Sequence, residues 1–279
     1  MPGSTLLQRV LVGLVIVIGL VPFFYFASIE IGIARASAYQ SEDAGYEGAA
    51  ERYVENVAFG VHEKLSFDIN YGFINAGTAT MEVAGLVEYE NRPCYQIVSR
   101  ANSNKFFSTF FKVDDRVESI VDAIGIFTWR FEKNLQEGGY RSDRMYTFDQ
   151  RNNFVHYKGD TLPVSEYVQD ALSSLYYVRT QPLEVGKTLY LDNFTDGRFY
   201  TLEVIVHKRE AISVKAGTFD CLVVEPILQT VGVFKHTGKL TVWLTDDRLK
   251  MPVLMKSKVL VGSISAELTE YQLGEIEAF

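Results

Sequence analysis

A chain of 279 residues that is 47% hydrophobic and 13% aromatic carries enough apolar material for one large folded domain or two small ones, which excludes an intrinsically disordered protein. A formal net charge of -8 without any run of Lys or Arg repels polyphosphate and argues against a nucleic-acid partner. No fixed-period repeat is present, and no low-complexity tract follows the N-terminus.

The first feature in chain order is Val10–Ile29, an apolar run with no charged side chain. At about 1.5 Å per residue its length matches a hydrocarbon core of about 30 Å. It exceeds the apolar stretch of about 7–15 residues usual in a cleaved signal, so residues 1–33 are expected to be an uncleaved transmembrane helix with the membrane as partner. Ala36-Ser37-Ala38 has the small-x-small form of a cleavage site, and the alternative is a protein released after cleavage near Ala38. Arg9 precedes the run and Glu30 follows it, which by the positive-inside tendency places the body outside the cytoplasm. Residues 34–62 read as a linker in which Ala49, Ala50, Tyr53, Val54 and Val57 form a partial helical stripe.

From Lys64 the period changes to two. Leu65, Phe67, Ile69, Tyr71 and Phe73 alternate with Ser66, Asp68, Asn70 and Gly72, the pattern of a half-buried strand, and Asn75-Ala76-Gly77 turns the chain into a second one. Further strands are expected through Cys94–Ala101, after Asp114-Asp115-Arg116, through Phe127, Trp129 and Phe131, and through Tyr146 and Phe148. Beyond Gly186, strands follow at Phe199–His207, Ile212–Val214 and Phe219–Glu225, then as a hairpin at Leu240–Thr245 and Val253–Leu260, continued by Ile264, Ala266 and Leu268. Roughly a dozen strands with no helices between them predict a mainly β domain over residues 63–279, a curved antiparallel sheet forming an open or closed barrel.

One segment breaks the pattern. In Asp170–Arg179, Ala171, Leu172, Leu175 and Tyr176 recur with Val168 at helical spacing, with Ser173, Ser174 and Tyr177 off that face. Asp170 suits an N-cap and Gln181-Pro182 a stop, so a short helix at about 170–179 packs on the sheet, as a seal or as a lid.

No catalytic constellation emerges, and an enzyme is not expected. His62, His156, His207 and His236 are scattered, with no spacing suited to a metal, and no cofactor is implied. Gly262-Ser263-Ile264-Ser265-Ala266 lacks the last glycine of a nucleophile elbow. Catalysis would require His156, His207 or Asp246 to converge with a perturbed carboxylate in a cleft. The two Asp-Asp-Arg tripeptides, at Asp114 and Asp246, read as turns, since Asp hydrogen-bonds the backbone two residues on. Cys94 and Cys221 would form a disulfide in an oxidising compartment or remain buried free thiols. The richer signal is apolar bulk. Phe107, Phe111, Phe127, Trp129, Phe131 and Tyr146, with Leu172, Leu175 and Tyr176 of the helix, read either as core or as the wall of a concave groove for a hydrophobic ligand.

Four motifs in order resemble the bacterial family called domain of unknown function 3108. They are the hairpin Tyr71–Ala79 with Ala76-Gly77, the run Gln169–Arg179, the turn Ala216–Cys221, and Trp243–Asp247 followed by Pro252-Val253, together spanning about Glu63–Tyr271. The resemblance implies an exported, mostly β protein of the bacterial envelope and supplies no catalytic residue. With Val10–Ile29 as anchor, the expected location is the bacterial inner membrane, single-pass, with the domain on the periplasmic side. A weaker similarity, at the level of fold, is to the half-barrel lipoprotein carriers of the periplasm. The expected function is therefore that of an envelope protein that binds a lipid or other apolar ligand in a concave sheet. A structural or protein-interaction module with an envelope partner is the alternative, and a hydrolytic enzyme ranks last.

Overall fold

The structure is a computed structural model that describes residues 52–227, 239–258, 262–277 and 279. The sequence-predicted anchor Val10–Ile29, the cleavage site at Ala38 and His236 lie outside the described residues. No described helix is long and apolar enough to cross a membrane.

Fourteen strands among the described residues form one antiparallel sheet in the order β8-β7-β6-β5-β4-β3-β2-β1-β14-β13-β12-β11-β10-β9. The first half runs from β1 (Lys64–Tyr71), β2 (Ile74–Tyr89) and β3 (Arg92–Ser103) through β4 (Asp114–Asp122), β5 (Thr128–Glu137) and β6 (Tyr140–Asp149) to β7 (Phe154–Tyr157) and β8 (Asp160–Pro163). The second half comprises β9 (Thr188–Thr195), β10 (Arg198–Val214), β11 (Gly217–Ile227), β12 (Leu240–Thr245), β13 (Pro252–Lys258) and β14 (Ser263–Gln272). Every pairing joins sequence neighbours except β1 with β14, where Leu65 faces Tyr271 and Ile69 faces Ala266. Each half is thus a meander, and the pairing of first and last strands welds them together.

The edges, β8 and β9, do not pair, so the sheet is curved but not closed. The segment after β8 spans part of the gap. Thr128 N donates to Val168 O at 3.4 Å, Gln169 N donates to Asp192 O at 2.9 Å, and Phe194 N donates to Gln169 O at 2.8 Å. These bonds supply the exposed edge of β9 with partners at its middle.

The strand periodicity decides which face is buried. Leu65, Phe67 and Ile69 of β1, Ala79, Met81 and Val83 of β2, and Ile264, Ala266 and Leu268 of β14 all point into one core on the inner face. Two helices interrupt the strands, α1 (Lys105–Ser108) and α2 (Ala171–Thr180). The segment Arg52–His62 forms no helix, contrary to the stripe predicted through Ala49–Val57. Its backbone and side chains are engaged elsewhere. Val54 N donates to Ile124 O, and Arg52 donates to Gly125 O at 2.7 Å and Ile126 O at 2.6 Å while lying over the rings of Tyr167 and Tyr177. Ala58 and Phe59 consequently belong to the core.

Candidate functional site

Antiparallel alternation gives the curved sheet two ends. At one lie the turn after β4, the Glu63 start of β1 and the β12–β13 turn, and α2 crosses this end. The N-cap Asp170 accepts hydrogen bonds from Ser119 Oγ of β4, from Thr128 Oγ1 of β5 at 2.7 Å, and from the backbone N–H groups of Leu172 and Ser173. Ser173 Oγ returns a contact to Asp170 N, completing a capping box. Burial pushes the Asp170 carboxyl up, and its four donors oppose that shift. At the other end of α2, Arg179 donates through both Nη atoms to Glu63, each at 2.7 Å, and also to Ala58 O and Leu249 O.

The polar side of α2 is therefore not solvated, contrary to the expectation from its stripe. Ser173 and Ser174 are as buried as Leu172 and Tyr176, because the sheet presents polar partners, including Asn193 Nδ2 to Ser174 Oγ at 2.7 Å. The helix is a plug set inside the sheet.

The opposite end has a different character. Asn104 caps α1 and ties it to the β1–β2 turn, its N–H donating to Ala76 O at 2.9 Å and its Nδ2 to Asn75 O at 2.7 Å. Gly77 makes this close approach possible, since a Cβ there would fall 2.1 Å from Asn102 O. The rim so formed exposes four large apolar side chains, Phe73, Ile74, Phe106 and Phe110, with Phe106 and Phe110 in edge contact at 5.4 Å.

The nine residues predicted to line a groove separate into groups. Phe131, Tyr146, Leu172, Leu175 and Tyr176 share the inner-face core, with Phe131 and Tyr146 stacked at 6.4 Å. Phe107 and Phe111 pack against that core from the rim and are half-buried. Phe127 and Trp129 lie in a separate cluster with Cys94 and Ile120. The alternation expected through Phe127, Trp129 and Phe131 is broken by a bulge, because Ile120 pairs with Arg130 but Val121 pairs with Thr128. The extra residue sends Trp129 to the outer face, where its Nε1 donates to Asp122, and leaves Thr128 and Phe131 inside.

Charged groups on the inner face were hidden in the sequence. Asp115 does not sit in a turn but begins β4, where it is buried and accepts from Gln136 N at 2.8 Å. Glu137 ends β5 and is buried too. Burial raises the Asp115 carboxyl to about 7 and the Glu137 carboxyl to about 8, each further raised by a neighbouring carboxylate and lowered by Lys133. Lys133, also buried, bonds Asp196 Oδ1 at 2.9 Å, and Arg144 reaches the same oxygen at 3.3 Å. The β9–β10 turn is thereby clamped to β5 and β6 across the unpaired edges. Strand alternation was the one signal that could have flagged Asp115, Lys133 and Glu137, since all three fall on inward positions.

The three groups considered for catalysis are dispersed. His156 on β7 contacts Thr161, His207 on β10 contacts Glu225, and Asp246 pairs with Arg209. The tripeptide at Asp246 does form the expected turn, with Asp247 Oδ1 accepting from Leu249 N and Lys250 N. Among the described residues no group of three or more His, Cys, Asp or Glu side chains is placed to hold a metal ion. Cys94 and Cys221 are both free and buried, and burial raises their thiols to about 12 and about 11.

Comparison with known proteins places the fold. A β-barrel-like protein from Brucella abortus, with a domain of unknown function called DUF1849, superposes with a TM-score of 0.53 at 10% identity, covering 78% of this chain and 100% of its own. A Parabacteroides distasonis chain described provisionally as a lipoprotein gives 0.35 at 11% identity, covering 80% and 100%. A Bacteroides fragilis chain described provisionally as exported, with a YmcC-like fold, gives 0.30 at 14% identity, covering 79% and 99%. No curated protein matches the chain in sequence. Residues 66–269 match the family model for the protein of unknown function DUF3108, and over that body, which holds the plug helix, the rim and the inner-face charges, the chain belongs to this family.

Proposed function

We propose that this protein is a binding protein of the bacterial envelope that takes an amphiphile with a long apolar chain against the inner face of its curved sheet, and that Val10–Ile29 holds it to the inner membrane. The observation that carries the reading is the pairing of a buried polar plug at one end with exposed apolar side chains on the rim of the other. One is sealed by α2 through buried polar anchors at Asp170 and Arg179, while the other presents Phe73, Ile74, Phe106 and Phe110 to solvent. An apolar interior with a greasy rim at one end suits capture of a chain from a bilayer or from another protein, and the rim residues serve as the first contact. Met81 and Met255 on the inner face add side chains that repack readily around ligands of different shape.

The test is native mass spectrometry of the full chain, purified from bacterial membranes in a mild non-ionic detergent. A lipid-mass adduct that survives desalting is expected. A bare protein mass, together with no displacement of a fluorescent fatty-chain probe, would overturn the reading. The exposed rim also suits a second reading, an envelope interaction module without a small ligand, and cross-linking at Phe106 to a protein in the absence of any adduct would favour that one.

A further inference from the structure

Among the described residues, the buried inner-face oxygens without a hydrogen-bond partner include Ser99 Oγ, Asp115 Oδ2 and Glu137 Oε1. Their residues are 1%, 6% and 3% exposed. The strand register makes Asp115 a diagonal neighbour of both Ser99 and Glu137, which stand two strands and four residues apart from each other. Ser99 pairs with Val117 and Ala101 pairs with Asp115 between β3 and β4. Arg116 pairs with Asn134 and Val113 bridges Glu137 between β4 and β5. Asp115 therefore stands opposite Leu135, with Glu137 its diagonal neighbour toward the rim and Lys133 its diagonal neighbour away from it, at the distance where side chains of a sheet interact.

Ionising two neighbouring buried carboxyl groups that each keep an oxygen without a donor is unfavourable twice over, through desolvation and through their mutual repulsion. The cation beside them does not relieve this by contact, because Lys133 Nζ is bonded to Asp196, as is Arg144. The remaining neighbours, Ala101, Val113, Val117 and Leu135, are apolar and part of the core. Acceptors without donors thus lie at the rim end of an apolar wall, which is the complement of a cationic head on a hydrocarbon chain.

We infer that Asp115 and Glu137 form a head-group subsite for an ammonium or similar cationic, multi-donor group of the amphiphile. The inference rests on the ligand-binding reading above and names its chemistry. A primary ammonium has three donors and one positive charge, so it can satisfy the open oxygen of each carboxyl. A carboxylate or phosphate head brings neither a donor nor a positive charge, and a bare alcohol brings a single donor.

The experiment uses the full chain in a non-ionic detergent at neutral pH, offered tetradecylamine, tetradecanol and tetradecanoate in equal amounts, with adducts read by native mass spectrometry. The amine adduct is expected to exceed the other two by about tenfold, a typical gain for a buried charge-assisted contact. In D115N/E137Q, which keeps the shape of the patch, amine uptake should fall to the level of the alcohol while alcohol uptake is unchanged, and E137Q alone should be intermediate. Equal uptake of all three heads, or an amine preference that survives D115N/E137Q, would overturn the head-group assignment and leave chain binding intact. Absence of any adduct would overturn both.

Discussion

Arg179 and Glu63 form a two-pronged ion pair sealed from solvent, with both guanidinium Nη atoms 2.7 Å from the two carboxylate oxygens. The pair locks the C-terminal end of α2 to the residue that precedes β1, and the guanidinium also lies 5.4 Å from the Phe59 ring centroid and 5.2 Å from that of Tyr176. Removing one member strands the other charge in the core. Glu63→Gln or Arg179→Met should each destabilise the fold by roughly 3–5 kcal/mol, whereas the double substitution should be much less harmful than the sum. Thermal melts followed by circular dichroism decide it, and single variants that melt within a degree or two of the parent would refute the claim.

The N-terminal end of α2 depends on Asp170 in the same way. Asp170→Ala removes an acceptor shared by Ser119, Thr128 and two backbone N–H groups, leaving several buried donors unmatched. A loss of about 3 kcal/mol or more in urea denaturation is expected, well beyond the ~1 kcal/mol typical of an exposed cap. A loss as small as an exposed cap gives would show that the surrounding hydroxyls find other partners.

Stability should depend on pH through Asp115 and Glu137. In the unfolded chain these carboxyls release their protons near pH 4, while in the fold burial holds them to about 7 and about 8. Between those limits the unfolded state binds fewer protons, so stability falls as pH rises from about 4 to about 8 and levels off above. Lys133 and Asp114, the charged neighbours, modulate the two values without reversing the sign. The urea midpoint of the parent should drop between pH 5 and pH 8, and that of D115N/E137Q should drop less steeply. Identical slopes for the two proteins would contradict the assignment.

The rim should be separable from the fold. Phe106 and Phe110 are 64% and 62% exposed, so F106S/F110S should alter stability by no more than about 0.5 kcal/mol. Uptake of a fluorescent fatty-chain probe from vesicles should nevertheless slow severalfold, as stopped-flow fluorescence would record. Unchanged uptake would remove the rim from the binding route.

Intrinsic fluorescence should be blind to the ligand. Trp129 sits in the outer cluster, and Trp243 points away from the inner core with its Nε1 on Glu210. Filling the inner face should leave the emission maximum of both unmoved, while a large shift on binding would locate the ligand outside the sheet's inner face.

Much of the architecture was legible because β alternation and helix periodicity are local. Leu65 through Tyr71 and Ile264 through Leu268 announce their strands and their buried faces, and Asp170 as an N-cap announces α2. Strand β9 escaped notice because its inward positions include Asn193 and Thr195, polar residues whose burial is only explained by Ser174 of a distant element and by each other. Asp115 was disguised by its tripeptide, which reads as a turn in one copy and opens a strand in the other. The Arg179–Glu63 pair joins residues 116 positions apart, and no window along the chain contains both. Trp129 was misplaced by a bulge that neither composition nor spacing reveals. Local rules thus gave the elements and their faces, and the polar anchors of the site required the tertiary fold.

The weld between β1 and β14 has a kinetic meaning. Every other strand pair forms between segments adjacent in the chain, so two meanders can assemble as the polypeptide is synthesised. Strand β1 is among the first to emerge and β14 the last, and for most of that interval one long side of β1 offers unsatisfied backbone groups to any passing strand. The nascent protein is therefore most vulnerable to misassembly along Lys64–Tyr71, and a helper that shields this segment until the C-terminal strand arrives would raise the yield of folded protein more than one acting anywhere else on the sheet.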